Sequence, residues 1–535
     1  MKGLVFNCQG KKEEAFQLVN AGLANDPTSH VCWHIKGLYY KSHNEFSEAI
    51  ECYNSALKYD QNNQNILRDL SWMQVQTRDF AGFVATRNKL LEMAPMQRAS
   101  WVPAAVGNYM VDQFQVAYDL VTKYRASSCV KGDAYEEGEL LLFQNMCLEK
   151  QGKLAEALVH LKVSEPFVTD KLSVKVKTAE LQVLQGNFAV AKEQWLALVT
   201  AQPDNYRFHS GLQTAYLELD AATSKDMFAL KRLQLPSTSL SLDAAQRSTL
   251  KELYATLIAQ HKRSAANKIV LGLQQGTEEL RGPLDAFLKT NLRNAIPSLF
   301  QEVAALICVP DEANPARARF AQDVADFKNH EVTTLVQCLV DGYVTNLRTS
   351  QQFDASNPAA NPEPPTALLW ALYLQTHLLE VTGDLDGALR VIDEAIAHTP
   401  TAIDMHGRRA RILKKQGALT SAAVTMDEAR QLDLQDRYLN NKATKYFLRA
   451  DEVDLAMSTI AMFTKHEGDP QQTLYELQCN WYELELAEAY ARRRQWGLAL
   501  RKFYAVRKHF LDYTDDMFDF NGYCMRKVRL FSFSH

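Results

Sequence analysis

The sequence is poor in the residues that interrupt helices, with 16 prolines and 22 glycines in 535 residues. That scarcity excludes collagen-like and low-complexity chains, and a 47% hydrophobic content supplies enough apolar side chain for a large core. Cysteine is sparse and unpatterned. Nine are scattered from Cys8 to Cys524 without a C-x-x-C pair, so neither a disulfide framework nor a zinc ribbon is expected, and a reducing compartment fits. No apolar run approaches the roughly 20 residues that a membrane-spanning helix needs. Gln9-Gly10-Lys11-Lys12-Glu13-Glu14 interrupts any signal-peptide core. Charge of one sign is lacking as well: 59 basic residues against 63 acidic ones leave a net −4, which gives no global pull towards nucleic acid or anionic membrane. A cytoplasmic, soluble chain that binds neither DNA nor membrane is expected.

What is present is repetition. Within His30 to Asn63, Trp33, Gly37, Tyr40, Ala49, Tyr53 and Ala56 occupy positions 4, 8, 11, 20, 24 and 27 of a 34-residue frame. This is the tetratricopeptide pattern of two antiparallel helices, in which small residues at 8 and 20 allow close approach and large ones fill the gaps. Trp101 lies two periods beyond Trp33, and Pro27 and Pro95 share position 32. Ala117 returns at position 20. Ala157 with Gly152, and Ala191 with Gly186 and Pro203, mark two further units at slightly shifted spacing. Later the signal is cleaner: Ala388, Ala422 and Ala456 are 34 apart, as are Gly383 and Gly417, and Ala499 follows after a nine-residue insertion. The expected fold is an all-α tetratricopeptide-repeat solenoid, a right-handed superhelix of helix hairpins.

The organisation read from the chain is a first repeat array over 1–220 with an incomplete opening unit, and an irregular helical segment over 221–350. A proline-rich loop at 351–366, a second array over 367–530 and a tail at 531–535 follow. Segments 243–261 and 318–348 read as helices. Met1 falls near position 6 of the frame, and the final helix stops at Phe531-Ser532-Phe533-Ser534-His535. The chain therefore reads as a fragment shortened at both ends.

Chemistry-bearing motifs are few. Arg494-Gln495-Trp496-Gly497-Leu498-Ala499 matches the R-x-x-G-x-A turn that holds acetyl-CoA in N-acetyltransferases, but that turn needs a preceding strand, and here it falls on repeat positions. His30, Cys32 and His34 do not share one helical face, and Asp512, Asp515, Asp516 and Asp519 lack the glycine of a calcium loop. The latter are expected in a solvated turn or an acidic patch facing a partner. No metal site and no catalytic residue is expected. Arg408, Arg409, Arg411, Lys414 and Lys415 crowd one helix, with Lys442 and Lys445 about one repeat later, so stacked units would bring them together as a solvated basic face or a polyanion site. Arg492, Arg493 and Arg494 read as solvent-facing.

Some strings exceed the repeat code: Ser29-His30-Val31-Cys32-Trp33-His34, Glu363-Pro364-Pro365-Thr366-Ala367-Leu368-Leu369-Trp370, Thr514-Asp515-Asp516-Met517-Phe518-Asp519-Phe520 and Tyr523-Cys524-Met525-Arg526-Lys527. With these the chain resembles the large auxiliary subunit of the N-terminal acetyltransferase A complex, over most of 1–530 and weakly across 221–284. The resemblance implies a non-catalytic scaffold that wraps and tunes a small catalytic N-α-acetyltransferase and helps dock it at the ribosome. That complex acetylates nascent chains that begin with Ser, Ala, Thr or Gly after methionine removal. Acetyl-CoA then belongs to the partner, and this chain carries no cofactor for catalysis. The resemblance also implies inositol hexakisphosphate at the subunit interface, with Arg409, Lys414, Lys415, Lys442, Lys445 and Tyr446 as ligands. Rival readings are a generic tetratricopeptide adaptor or co-chaperone, and the auxiliary subunit of the related complex acting on Met-Asp, Met-Glu or Met-Asn starts. A chaperone clamp is disfavoured because His34 and Leu38 stand where it needs basic and asparagine side chains.

Overall fold

The computed structural model describes residues 2–129, 132–229, 242–261, 264–307, 331–354, 361–464 and 468–527. Every regular element among them is helical. Contacts divide the chain into two compact units. The first comprises Met1–Leu198, Glu218–Phe228 and Asp515–His535; the second comprises Val199–Leu217 and Ala229–Thr514.

In the first unit the helices pair in sequence order: His30–Ser42 with Phe46–Tyr59, Gln64–Gln76 with Phe80–Met93, and Arg98–Met110 with Phe114–Ala126. Local chemistry starts the first helix of several pairs. The Ser29 and Asn63 side chains accept hydrogen bonds from Cys32 and from Asn65 and Ile66 backbone N–H groups, meeting donors that no helical carbonyl can reach. Between the two helices of each pair one residue turns left-handed: Asn44, Arg78, Asp112, Gly152 and Gly186 here, and Gly383, Gly417, Asp451 and Arg494 in the second unit. Five residues after each comes the frame's small position. Ala49, Ala117, Ala157, Ala191, Ala388, Ala422, Ala456 and Ala499 are all buried there. The remaining member is Phe83, and its ring fits because Gly107 of the next helix carries no side chain; a Cβ there would come within 3.0 Å of that ring. Gly37 works in the same way, since a Cβ at that point would run into the Tyr53 ring.

A second tie recurs with the frame. The Trp33 indole N–H donates to the Pro27 carbonyl (2.9 Å), and Trp101 does the same to Pro95 (2.8 Å). Histidine substitutes later: the Nε2 of His209 bonds the Pro203 carbonyl and that of His406 the Pro400 carbonyl, both at 2.8 Å. A carbonyl only accepts, so Nε2 carries the proton in both rings.

In the second unit the expected helix 243–261 is Ala244–Gln260, opened by an Asp243–Gln246 capping box. Of the expected 318–348 helix, Glu331–Ser350 is described and the stretch before it lies outside the described residues. Around the proline-rich loop the Glu363 N–H bonds the Gln351 carbonyl, its carboxylate takes the Arg293 guanidinium (2.7 and 2.5 Å), and Pro365 opens helix Pro365–Thr382; Pro358 lies outside the described residues. The hairpins Pro365–Thr382/Leu385–His398, Ile403–Lys415/Leu419–Leu432 and Arg437–Arg449/Val453–Ala461 then follow. The nine-residue lengthening coincides with a short extra helix, Pro470–Glu476, before Asn480–Arg492 pairs with Trp496–Lys527, His509 lying against Glu483 between them. That last helix corrects one expectation: Asp512, Asp515 and Asp516 lie within it rather than in a turn, and Lys508 pairs with Asp512 one turn away. The predicted tail at 531–535 lies outside the described residues.

Candidate functional site

The basic residues gather on the first helices of successive hairpins in the second unit. On Ile403–Lys415, residues 408, 411 and 415 share one stripe, because three- and four-residue steps return to the same helical face. All three reach Glu380, near the end of Pro365–Thr382, the first helix of the preceding hairpin. Arg408 Nη1 donates to Oε2 (2.7 Å), while Arg411 Nε and Lys415 Nζ donate to Oε1 (both 2.8 Å). Glu380 is only 2% exposed. Burial alone would raise its pKa, but Arg408, Arg411 and Lys415 together pull it down to about 2.

The next repeat copies the stripe with a different acid. Lys442, Lys445 and Arg449 of Arg437–Arg449 lie 34 residues beyond Arg408, Arg411 and Lys415. Glu485, on Asn480–Arg492, takes Arg449 Nε and Nη2 (3.0 and 2.8 Å) and Lys445 Nζ (2.8 Å). Between the two groups sits Lys414, with its Nζ 5.6 Å from the centre of the Tyr446 ring; Lys442 lies over Tyr438 at 5.2 Å. Neither Lys414 nor Lys442 has a carboxylate partner among the described residues. Burial, then Arg449, Arg411 and Lys442, push the Lys414 ammonium down to about 8. Tyr373 and His377 line the base of the first group, where burial and the Arg408 charge hold His377 neutral.

Seven cations thus surround two buried carboxylates on one continuous face. Such an excess, with two ammoniums short of counter-charge, fits a compact, multiply charged anion. Of the expected ligands, Lys414, Lys415, Lys442, Lys445 and Tyr446 converge here. Arg409 does not: it turns to the second helices of the hairpins, donating to Asp393 (2.7 Å) and Thr425 (2.8 Å). The sequence reading missed Glu380, Glu485 and Arg449. Arg449 was findable, since it is Lys415 advanced by 34; the two acids carry no repeat signal of their own.

The other motifs resolve into the repeat. Arg494 is the left-handed turn residue between two helices, and Gly497 and Ala499 open the second of them, so no strand precedes the turn. His34 and Lys41 both bond Asp69 (2.9 and 3.3 Å) and hold it below the usual carboxylate range although burial would raise it. Among the described residues no group of three His, Cys, Asp or Glu side chains is arranged to hold a metal ion, and no helix is long and apolar enough to cross a membrane. A further surface is apolar. Along Trp496–Lys527 the side chains of Ala499, Val506 and His509 face inward, while Trp496, Leu500, Tyr504 and Phe510 are more than half exposed among the exposed Arg501, Arg507 and Lys508.

Stacked helix hairpins with ordered contact surfaces define a tetratricopeptide-repeat protein. The sequence model for "N-terminal acetyltransferase A, auxiliary subunit" matches residues 135–535, and that for "Psidin, N-terminal TPR repeats region" matches 1–204. The chain belongs to the family of N-terminal acetyltransferase A auxiliary subunits. It is 38% identical over 538 residues to an N-terminal acetyltransferase A complex auxiliary subunit, NAA15, of Arabidopsis thaliana, covering 100% of this chain and 55% of the relative. To human N-alpha-acetyltransferase 16, NatA auxiliary subunit, it is 36% identical over 538 residues, covering 99% and 56% respectively. The chain thus spans about half the length of the curated relatives it matches. A solved structure of Naa15/Naa10 bound to HypK-THB superposes with a TM-score of 0.76 at 29% identity, covering 100% of this chain and 73% of that one.

Proposed function

We propose that this chain is a non-catalytic scaffold that binds a small catalytic N-α-acetyltransferase subunit and tunes it for co-translational acetylation of nascent chains starting with Ser, Ala, Thr or Gly. The family match over 135–535 carries this reading. The likeness to a structure of Naa15 with Naa10 supports it, as does the exposed apolar row on Trp496–Lys527, a surface of the kind that partners cover. The physical mechanism is preorganisation. A rigid array presents many modest contacts without a large ordering cost, and fixing the partner's helices sets donors and bases where small displacements are expensive in rate. Co-expression with the small catalytic subunit of the same organism tests this reading. A stable pair whose peptide preference differs from that of the free catalytic subunit is expected; an unchanged preference overturns it.

Two finer readings belong to the same proposal. Inositol hexakisphosphate would be held by Lys414, Lys415, Lys442, Lys445 and Tyr446, joined by Arg408, Arg411 and Arg449, and would supply the counter-charge that Lys414 and Lys442 lack. The subunit works in the cytoplasm at the ribosome, and salt-sensitive co-sedimentation of the pair with ribosomes would test that placement.

A further inference from the structure

We propose that Glu380 and Glu485 are internal counter-ions of the cationic face: built-in carboxylates that let its cations order without a bound anion and that compete with the anion when it arrives. The inference rests on the polyanion reading above and adds to it which residues set the affinity.

Three observations carry it. Glu380 is buried, and among the described residues its carboxylate is bonded by three cations, Arg408, Arg411 and Lys415, at 2.7 to 2.8 Å. Those cations sit one helical turn apart on one stripe, where like charges repel unless something between them is negative. Glu485 repeats the device one hairpin later with Lys445 and Arg449, although the two acids are not at equivalent frame positions. Two unrelated positions thus supply the same charge to the same pattern of cations. The consequence is a division of labour. Five cations are ordered in advance by the acids, and Lys414 and Lys442 stay uncompensated for the anion. The face folds without its ligand, and the affinity is lower than seven cations alone would give.

The experiment compares the intact chain with E380Q, E485Q and K414M by thermal unfolding and by titration with inositol hexakisphosphate, with inorganic phosphate at matched ionic strength as the control. An A388V variant serves as a core-damaged reference. We expect E380Q to melt below the parent without ligand and to bind inositol hexakisphosphate roughly tenfold tighter, because one negative charge has left the vicinity of a polyanion. Its ligand-induced Tm rise should exceed the parent's, while A388V should show only the parent's rise. E485Q should behave as E380Q and keeps the test open should E380Q not fold. Parent binding with no tightening in either Gln variant would overturn the inference and leave the polyanion reading standing. Absence of a Tm rise in the parent, the Gln variants and K414M alike would overturn both.

Discussion

At the scale of single residues, Glu380 has a pH signature whose sign follows from its depressed pKa. A carboxylate that ionises near 2 when folded and near 4.5 when unfolded adds stability that is fully present above about pH 4.5 and fades as the pH falls towards 2. The difference is worth about 3 kcal/mol. Urea unfolding of the parent and E380Q should therefore differ by about that amount at neutral pH, with the gap closing below pH 4.5. Lys414 runs the other way. Its ammonium is disfavoured in the fold by burial and by Arg449, Arg411 and Lys442, with Glu380 only partly offsetting them. Below about pH 8 that penalty is present in full, and it vanishes above the unfolded value of 10.5. Lys414→Met should raise the anion-free Tm at pH 7, have little effect near pH 11, and weaken polyanion binding at pH 7, where the ammonium is charged.

At the scale of the hairpin, the frame's small positions and its turn are the points of leverage. Gly37→Ala should cost about 2 kcal/mol, since Tyr53 is fully buried and cannot retreat from an added methyl group. Arg78 holds a φ of 58°, a conformation that glycine adopts freely, so Arg78→Gly should raise stability by up to about 1 kcal/mol. Replacing Trp33 by Phe trims its packing and leaves the Pro27 carbonyl without its donor, a loss of at least about 1 kcal/mol by chemical denaturation. These positions also show how legible the fold was. Alanine and glycine at fixed intervals gave the hairpins away, because close helix contact admits a larger side chain only where the facing helix makes room, as Gly107 does for Phe83. The turn was half hidden: Gly152, Gly186, Gly383 and Gly417 advertise it, but Asn44, Arg78, Asp112, Asp451 and Arg494 adopt the same backbone without a glycine. The cationic face was readable as charge on neighbouring repeats. Its acids were not, since nothing in a sequence says which of many glutamates lies beneath three cations. Arg409 misled for the same reason: one residue along a helix turns a side chain by 100° or so, away from Glu380 and towards Asp393.

At the scale of the whole molecule, the left-handed residue acts as a ruler. Within each hairpin, the distance from that residue to the small position is five throughout. Between hairpins the interval varies: 34 in most steps, 40 from Asp112 to Gly152, and 43 from Asp451 to Arg494. At the longest of these steps the extra length enters where one hairpin hands over to the next, as Pro470–Glu476 does, whereas at the 40-residue step part of it lengthens a helix, Ala134–Lys150. Lengthening by several glycine and serine residues at such a handover, after Gln435 for example, should leave the melting profile close to the parent's. The same insert after Gly417 should be far more damaging, because there it parts Ile403–Lys415 from Leu419–Leu432.

The left-handed corners therefore tell an engineer where the chain is to be left uncut. Segments taken from handover to handover keep each corner and its register, so units exchanged there with a homologous protein would arrive already in phase, and the cationic face could be lengthened or shortened one rung at a time.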